Sequence, residues 1–195
     1  GKTLIERQRD VLIKQKVTNI SVIGGYKKEK INIEGIRLIE NNEYEKTGIL
    51  HSLMCAQEEI KGKTLIVYSD ILFDDSILKK LLESEKDITL TIDPISHRKE
   101  INSKTDIVYT DTLPTRAKRA LNISPYRKIL KMGTKINSNK DYWEYAGMML
   151  LSKKGANIFK KVAMEVFKNN KDKPFHESIN INKASLTDIL QEIID

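Results

Sequence analysis

Three aspartates follow an apolar run in the segment TLIVYSDILFDD, residues 64–75. The run is typical of a buried strand, and Asp70 comes where that strand is predicted to end. Ligands of open parallel sheets bind beyond the carboxyl ends of the strands, where a carboxylate is a suitable ligand for a hard cation such as Mg²⁺. The alternative is an aspartate that caps the following turn or helix. Asp74 and Asp75 fit that alternative as turn and cap residues.

A second candidate site lies in the segment ENNEYEKTGILHSL, residues 40–53. Thr47 and Gly48 open a predicted helix, where backbone N–H groups are free, and the glycine lets a planar ligand approach closely. Ser52 follows four residues after Gly48 and therefore lies one helical turn further along. A Thr-Gly pair is common at helix starts, so this pattern alone does not define a function.

Helices and strands alternate through the first half of the chain. Hydrophobic spacing predicts helices over residues 3–16, 48–61 and 75–84, the last capped by Asp75 or Ser76, and strands over 20–23, 36–41, 64–69 and 87–93. Short connections between them predict a mainly parallel sheet covered by helices on both faces. The second half is less regular, with predicted strands over 126–136 and 143–152 and helices over 153–168 and 185–194. No repeat or long linker divides the chain, so we expect one domain.

Composition narrows the classes of function. The formal net charge of +7 suits an anionic ligand such as a nucleotide, although dispersed lysines also suit a solvated surface. The basic cluster of Arg116, Lys118 and Arg119 has the same two interpretations. Aromatic residues make up 6% of the chain, which argues against a platform for single-stranded nucleic acid. The single cysteine, Cys55, excludes an internal disulfide, and no apolar run is long enough for a membrane helix, so we expect a cytoplasmic protein.

Several segments in order carry a family resemblance: GKTLIERQRDVLIKQKVTNISVIGGYKKEKI, ENNEYEKTGILHSLMCAQ and LIVYSDILFDD, followed by YWEYAGMMLLSKKGA and SLTDILQEIID. This set resembles the nucleotidyltransferase family of sugar-phosphate and alcohol-phosphate nucleotidylyltransferases. Within it, the set is most similar to cytidylyltransferase-like domains of phosphocholine or phosphonate biosynthesis, some of which are fused to phosphoenolpyruvate mutase. The resemblance implies a three-layer α/β/α fold with a mixed, mostly parallel sheet, of the nucleotide-diphospho-sugar transferase type.

The resemblance also implies roles for six residues. Asp70 would be the catalytic aspartate that binds Mg²⁺. The residues against the nucleotide base would be Thr47, Gly48 and Ser52. The residues bordering the acceptor substrate would be Glu144 and Gly147.

The implied reaction transfers a nucleoside monophosphate, with CMP favoured, from a nucleoside triphosphate to a small molecule that carries a phosphate or phosphonate, and releases pyrophosphate. We expect neither nucleic acid nor a membrane as a partner. Fusion to another enzyme domain and assembly into a homo-oligomer are both left as open alternatives. Two family segments do not occur in residues 1–195: the glycine-rich phosphate loop and a late strand with a second metal-binding aspartate. We therefore expect a single domain truncated at both ends. The alternative is a catalytically incomplete module for nucleotide sensing or protein interaction.

Overall fold

A computed structural model describes residues 1–94, 105–112, 126–135, 142–170 and 173–195. The basic cluster of Arg116, Lys118 and Arg119 lies outside these described residues. In the described parts of the chain, the α-helices are α1 (Leu4–Lys14), α2 (Ile49–Cys55), α3 (Asp75–Leu82), α4 (Lys153–Asn169) and α5 (Leu186–Ile194). The strands are β1 (Ile20–Gly24), β2 (Ile36–Glu40), β3 (Thr64–Val67), β4 (Ile88–Pro94), β5 (Ile107–Thr110), β6 (Ile129–Gly133) and β7 (Trp143–Leu151).

Local sequence signals account for most helix boundaries. Helix α5 begins with the predicted capping box, in which the Ser185 side chain accepts from the backbone N–H of Asp188. Helix α3 begins at Asp75, as predicted, but its N-cap position is Asp74 and not Asp75 or Ser76, and the Asp74 side chain makes no capping hydrogen bond. Helix α2 ends at Cys55, well short of the predicted residue 61, because the chain turns there and inserts Ile60 into the core.

The strands form two sheets. Strands β1 and β2 pair in parallel, and β7 is the central strand of a second, five-stranded sheet. Leu150 of β7 pairs with Leu65 of β3 and also with Thr89 of β4, so these two strands flank β7 on opposite sides. Strand β5 pairs with both β6 and β7, and all the pairings of this sheet are antiparallel.

The α/β class and the mixed sheet are confirmed, but one detail of the prediction is corrected. Only the β1–β2 pairing is parallel among the described strands, so direct contacts between strands are mostly antiparallel. The physical reason is the insertion of β7, from the irregular second half, between β3 and β4. Those two strands run in the same direction but are not paired with each other, and a pattern of alternating elements does not reveal an intervening antiparallel strand.

Both faces of β7 are buried, which confirms the layered architecture. Met149 and Leu151 pack into a large cluster centred on α2, α4 and α5, whereas Met148 and Leu150 pack into a smaller cluster with α1 and α3. This alternation follows from the two-residue period of a strand. All four side chains are almost fully buried, and each contributes about 1.5–3 kcal/mol to folding. No helix in the described ranges is long and apolar enough to cross a membrane.

Candidate functional site

A pocket of about 350 Å³ lies where the ends of β3, β4, β5 and β7 meet. Its lining includes four carboxylates, from Asp70, Asp93, Asp106 and Glu144, as well as Tyr68, Tyr145 and Gly147. A larger groove, of about 1280 Å³, runs along β4 between α3 and α5, and aliphatic side chains make up much of its lining. The smaller pocket holds the groups that are capable of chemistry, and it includes three of the six residues predicted from the sequence: Asp70, Glu144 and Gly147.

Asp70 lies in the turn that follows β3, with its side chain exposed to solvent. The buried side chain of Gln8, in α1, fixes this turn: its Nε2 donates to the carbonyls of Tyr68 at 2.8 Å and Ile71 at 2.7 Å. Asp70 does not cap α3, because Asp74 is the N-cap of that helix. The Asp70 carboxylate makes no hydrogen bond or ion pair within the described residues. It is therefore positioned by the backbone around it and available to a ligand.

Gly147 allows β7 to pass close to this turn. The backbone N–H of Tyr68 donates to the Gly147 carbonyl at 2.9 Å, and Gly147 has φ +81°, a conformation that favours glycine. A Cβ at this position would also lie 3.2 Å from Tyr68 Cβ. Gly147 therefore allows the backbones of β3 and β7 to approach closely at the wall of the pocket.

The carboxylates around the pocket influence one another. Burial, reinforced by the nearby negative charge of Glu144, raises the pKa of Asp106 to about 6, while a hydrogen bond from Thr187 acts in the opposite direction. Burial also raises the pKa values of Tyr68 and Tyr145, so both phenols stay protonated at neutral pH. Their rings meet edge to face, with centroids 5.5 Å apart.

Tyr145 has an unusual hydroxyl. The residue is only 5% exposed, and its hydroxyl is buried. This hydroxyl nevertheless has no hydrogen-bond partner in the described parts of the chain. Leaving such a group unpaired costs about 1–3 kcal/mol.

The described residues contain no group of three or more side chains of His, Cys, Asp or Glu that could hold a metal ion. A site made wholly of protein ligands is therefore not present in these ranges. Mg²⁺ is commonly bound through one or two carboxylates together with water and substrate phosphates. The exposed carboxylate of Asp70 fits that mode of binding.

The other predicted residues lie outside this pocket, in a separate hydrogen-bond network. The buried side chain of Asn41 donates from Nδ2 to the hydroxyls of Thr47 and Ser52, both at 2.9 Å. Thr47 in turn donates to the carbonyl of Glu43, and Ser52 to the carbonyl of Gly48. The structure thus brings Thr47, Gly48 and Ser52 together but not next to Asp70.

Gly48 also differs from the expectation that free N–H groups face outward at the start of α2. Its N–H donates to the Asn182 carbonyl at 2.6 Å, and that of Leu50 donates to the Ala184 carbonyl at 3.1 Å. A Cβ at Gly48 would lie 2.6 Å from the Ala184 carbonyl oxygen. The absence of a side chain is therefore required for close packing against residues 182–184.

Four polar residues of the pocket were missed in the sequence: Tyr68, Asp93, Asp106 and Tyr145. Asp93 had a usable signal, because it is an acid at the end of a predicted strand, as Asp70 is. Asp106 directly precedes β5 and is brought to the pocket by pairing of β5 with β7, where Ile107 lies opposite Glu144. That long-range antiparallel pairing has no local signal in the sequence.

Comparison with known proteins defines the class: the chain has the fold of the nucleotidyltransferases. It superimposes on a CTP:phosphocholine cytidylyltransferase (LicC) from Streptococcus pneumoniae with a TM-score of 0.67 and 17% identity, over 98% of this chain and 72% of the other. An inositol-1-phosphate CTP transferase from T. maritima superimposes with a TM-score of 0.62 and 20% identity, over 100% and 69%.

A relative is also found by sequence. The chain is 26% identical over 106 residues to a CTP:phosphoglutamine cytidylyltransferase from Campylobacter jejuni. The match covers 48% of this chain and 41% of that relative, so the chain spans about two fifths of the length of the curated protein that it matches. No family model matches the chain. The resemblance to cytidylyltransferase-like nucleotidyltransferases, predicted from the sequence, is confirmed by these similarities.

Proposed function

We propose that the protein is a nucleotidyltransferase that transfers a nucleoside monophosphate, CMP by preference, from a triphosphate to a small molecule carrying a phosphate or phosphonate. An oxygen of the acceptor forms a bond to the α-phosphorus, the bond between the α-phosphorus and the bridging oxygen breaks, and pyrophosphate leaves. CTP is favoured because the proteins similar to this chain include three that are named for CTP. The acceptors in those names are all phosphorylated molecules, but they differ from one another.

The observation that carries the proposal is the environment of Asp70. Its carboxylate is exposed and unpartnered among the described residues, at the end of β3 and on the wall of the pocket. Mg²⁺ bound by Asp70 would neutralise charge on the phosphates during transfer. The protein's own contribution is mainly to hold the two substrates together. Gln8 and Gly147 fix the turn that carries Asp70, and Glu144 borders the space for the acceptor.

We further propose that Thr47, Gly48 and Ser52 form the nucleotide side of the site. The support is the Asn41 network, which holds both hydroxyls in place at the start of α2. Each hydroxyl already donates to a backbone carbonyl and accepts from Asn41, so it can accept one further hydrogen bond from a donor on the edge of a base. Gly48 packs tightly against residues 182–184, so its role is to keep the start of α2 and the Asn41 network close to that segment.

The test of the function is pyrophosphate release by the full-length protein that contains these residues. The four nucleoside triphosphates are each incubated with Mg²⁺ and with phosphocholine, aminoethylphosphonate, inositol 1-phosphate or glucose 1-phosphate. We expect release that requires both CTP and one acceptor. If no triphosphate gives release with any acceptor, and a triphosphate or its analogue still binds, the alternative of a nucleotide-sensing module is favoured instead.

Asp70→Asn is the matched test of mechanism. It preserves the shape of the side chain but removes the charge that attracts the cation, so pyrophosphate release should fall at least about a hundredfold across a Mg²⁺ titration. The melting temperature should stay nearly constant, because Asp70 is exposed and makes no contact with described residues that the change would break. Asp74→Asn is the control, since it makes the same change of charge at the N-cap position of α3, outside the lining of the pocket. If Asp70→Asn keeps most of the wild-type rate, the proposed metal ligand is wrong.

A further inference from the structure

Helix α1 buries a polar side chain at a position where an apolar one is the usual choice. Within the described span of this helix two residues are buried, Gln8 and Leu12, and Leu12 packs with the apolar side chains of the smaller cluster. Burial of an amide is unfavourable unless its hydrogen bonds are restored within the protein. Gln8 therefore has a role that the packing of α1 does not explain.

The partners of Gln8 lie in the turn after β3. Its Nε2 donates one proton to the carbonyl of Tyr68 and the other to the carbonyl of Ile71, residues 60 and 63 positions further along the chain. Because a carbonyl can only accept, the nitrogen of the amide and not its oxygen faces the turn. Ser69 and Asp70 lie between the two carbonyls. One side chain of α1 thus holds both ends of the short segment that carries Asp70.

The turn is not held by hydrogen bonds of its own backbone. Residues 68–71 all lie in the described part of the chain, and no backbone hydrogen bond joins them to one another. The N–H of Tyr68 donates to the Gly147 carbonyl, and this bond anchors the start of the turn to β7. The two bonds from Gln8 span the turn instead. The position of Asp70 therefore depends on α1 as well as on β3 and β7.

We propose that Gln8 is a positioning residue for the cation assigned to Asp70, and that α1 is for this reason part of the metal site. The inference rests on the proposed function and concerns the same site. Mg²⁺ requires nearly ideal octahedral geometry with ligand distances of about 2.0–2.1 Å, so a displaced carboxylate binds it less tightly. Removal of a residue that orients a metal ligand typically weakens metal binding about 10–100-fold. Gln8 acts through the backbone of the turn and does not itself contact the cation.

The experiment measures how much Mg²⁺ strengthens the binding of a nucleotide, so it does not depend on turnover. Calorimetry on the full-length protein gives the affinity for α,β-methylene-CTP with Mg²⁺ and with EDTA, and the ratio of the two affinities is the metal enhancement. Gln8→Met keeps the length of the side chain but removes both donors. We expect this change to reduce the metal enhancement about tenfold and to leave the affinity in EDTA nearly constant. An unchanged enhancement overturns the proposal.

A double variant shows whether Gln8 acts through Asp70. Asp70→Asn should itself reduce the metal enhancement, and Gln8→Met should cause no further loss in the Asp70→Asn background, because the effects of residues that act through one another do not add. Losses that add would show that Gln8 influences the nucleotide by another route, which contradicts the proposal. A measurement on the wild type needs no variant at position 8: the NMR signals of the two Gln8 Nε2 protons should shift when Mg²⁺ joins the complex with the analogue. Signals that do not move would count against the coupling.

Two controls separate this role from a general loss of stability. Gln15→Met makes the same substitution at the C-cap of α1, and Val166→Ala lowers stability by removing buried volume from α4. Both variants should keep the metal enhancement of the wild type, and a loss in Val166→Ala equal to that in Gln8→Met would refute the positioning role. If Gln8→Met does not fold, Gln8→Asn replaces it, since asparagine keeps the amide but is too short to reach both carbonyls.

The two proposals fail separately. An enhancement that Asp70→Asn abolishes and Gln8→Met preserves contradicts only this inference. An enhancement that depends on both residues, without pyrophosphate release with any acceptor, contradicts the enzyme and leaves the inference standing. A wild-type protein without any metal enhancement contradicts both, because Asp70 then binds no cation beside the triphosphate.

Discussion

Asp106→Asn should make the protein more stable at neutral pH and not at acid pH. Burial and the charge of Glu144 raise the pKa of Asp106 in the folded chain to about 6, against an ordinary value of 3.8. Between these two values the folded chain holds a proton that the unfolded chain has released. The free energy of unfolding therefore falls as pH rises through this window. Above about pH 6 the ionised carboxylate of Asp106 destabilises the folded chain by its full amount.

The size of the effect follows from the two pKa values. The interval between 3.8 and about 6 corresponds to about 3 kcal/mol at 1.36 kcal/mol per pH unit. Asp106 is only half-buried, so solvent screening reduces the expected cost to about 1–2 kcal/mol. For a chain of this size, removing that cost should raise the melting temperature by about 2–8 °C at pH 7. Asparagine can still accept the hydrogen bond from Thr187, which keeps the local structure comparable.

The assay is urea or thermal unfolding of wild type and variant at intervals from pH 4 to pH 8. The difference in stability should be small near pH 4, grow through pH 6 and then remain constant. Glu58→Gln is the control for a general change of net charge, and it should show no such step. Parallel stability curves for wild type and Asp106→Asn would refute the explanation by burial and the neighbouring acid.

Three further outcomes follow from individual contacts. Gly48→Ala should lower the free energy of unfolding by about 1–3 kcal/mol in urea titrations, because its Cβ would meet the backbone of residues 183–184. Gln8→Met should cost about 1–3 kcal/mol in the same assay, since it leaves two carbonyls of the Asp70 turn without their donor. Ser52→Ala should weaken CTP binding about fivefold by calorimetry if its hydroxyl contacts the base, and an unchanged affinity would argue against that contact.

Several helices and strands could be predicted because their signals are local. The apolar run before Asp70, the Ser185 cap and the glycine after β1 each act within a few residues, and each gives an element close to its predicted place. Pairing between strands is not local. Nothing in the sequence around Trp143 indicates that β7 lies between β3 and β4, so the direction of neighbouring strands was wrongly predicted from alternation alone.

The same distinction explains which site residues the sequence revealed. Asp70 was found because it ends a clear strand, and Glu144 and Gly147 were found only through the family resemblance. Asp106 was missed because its importance comes from the β5–β7 pairing, and Tyr145 because a tyrosine within a strand is ordinarily a packing residue. Its unpaired hydroxyl is visible only in three dimensions.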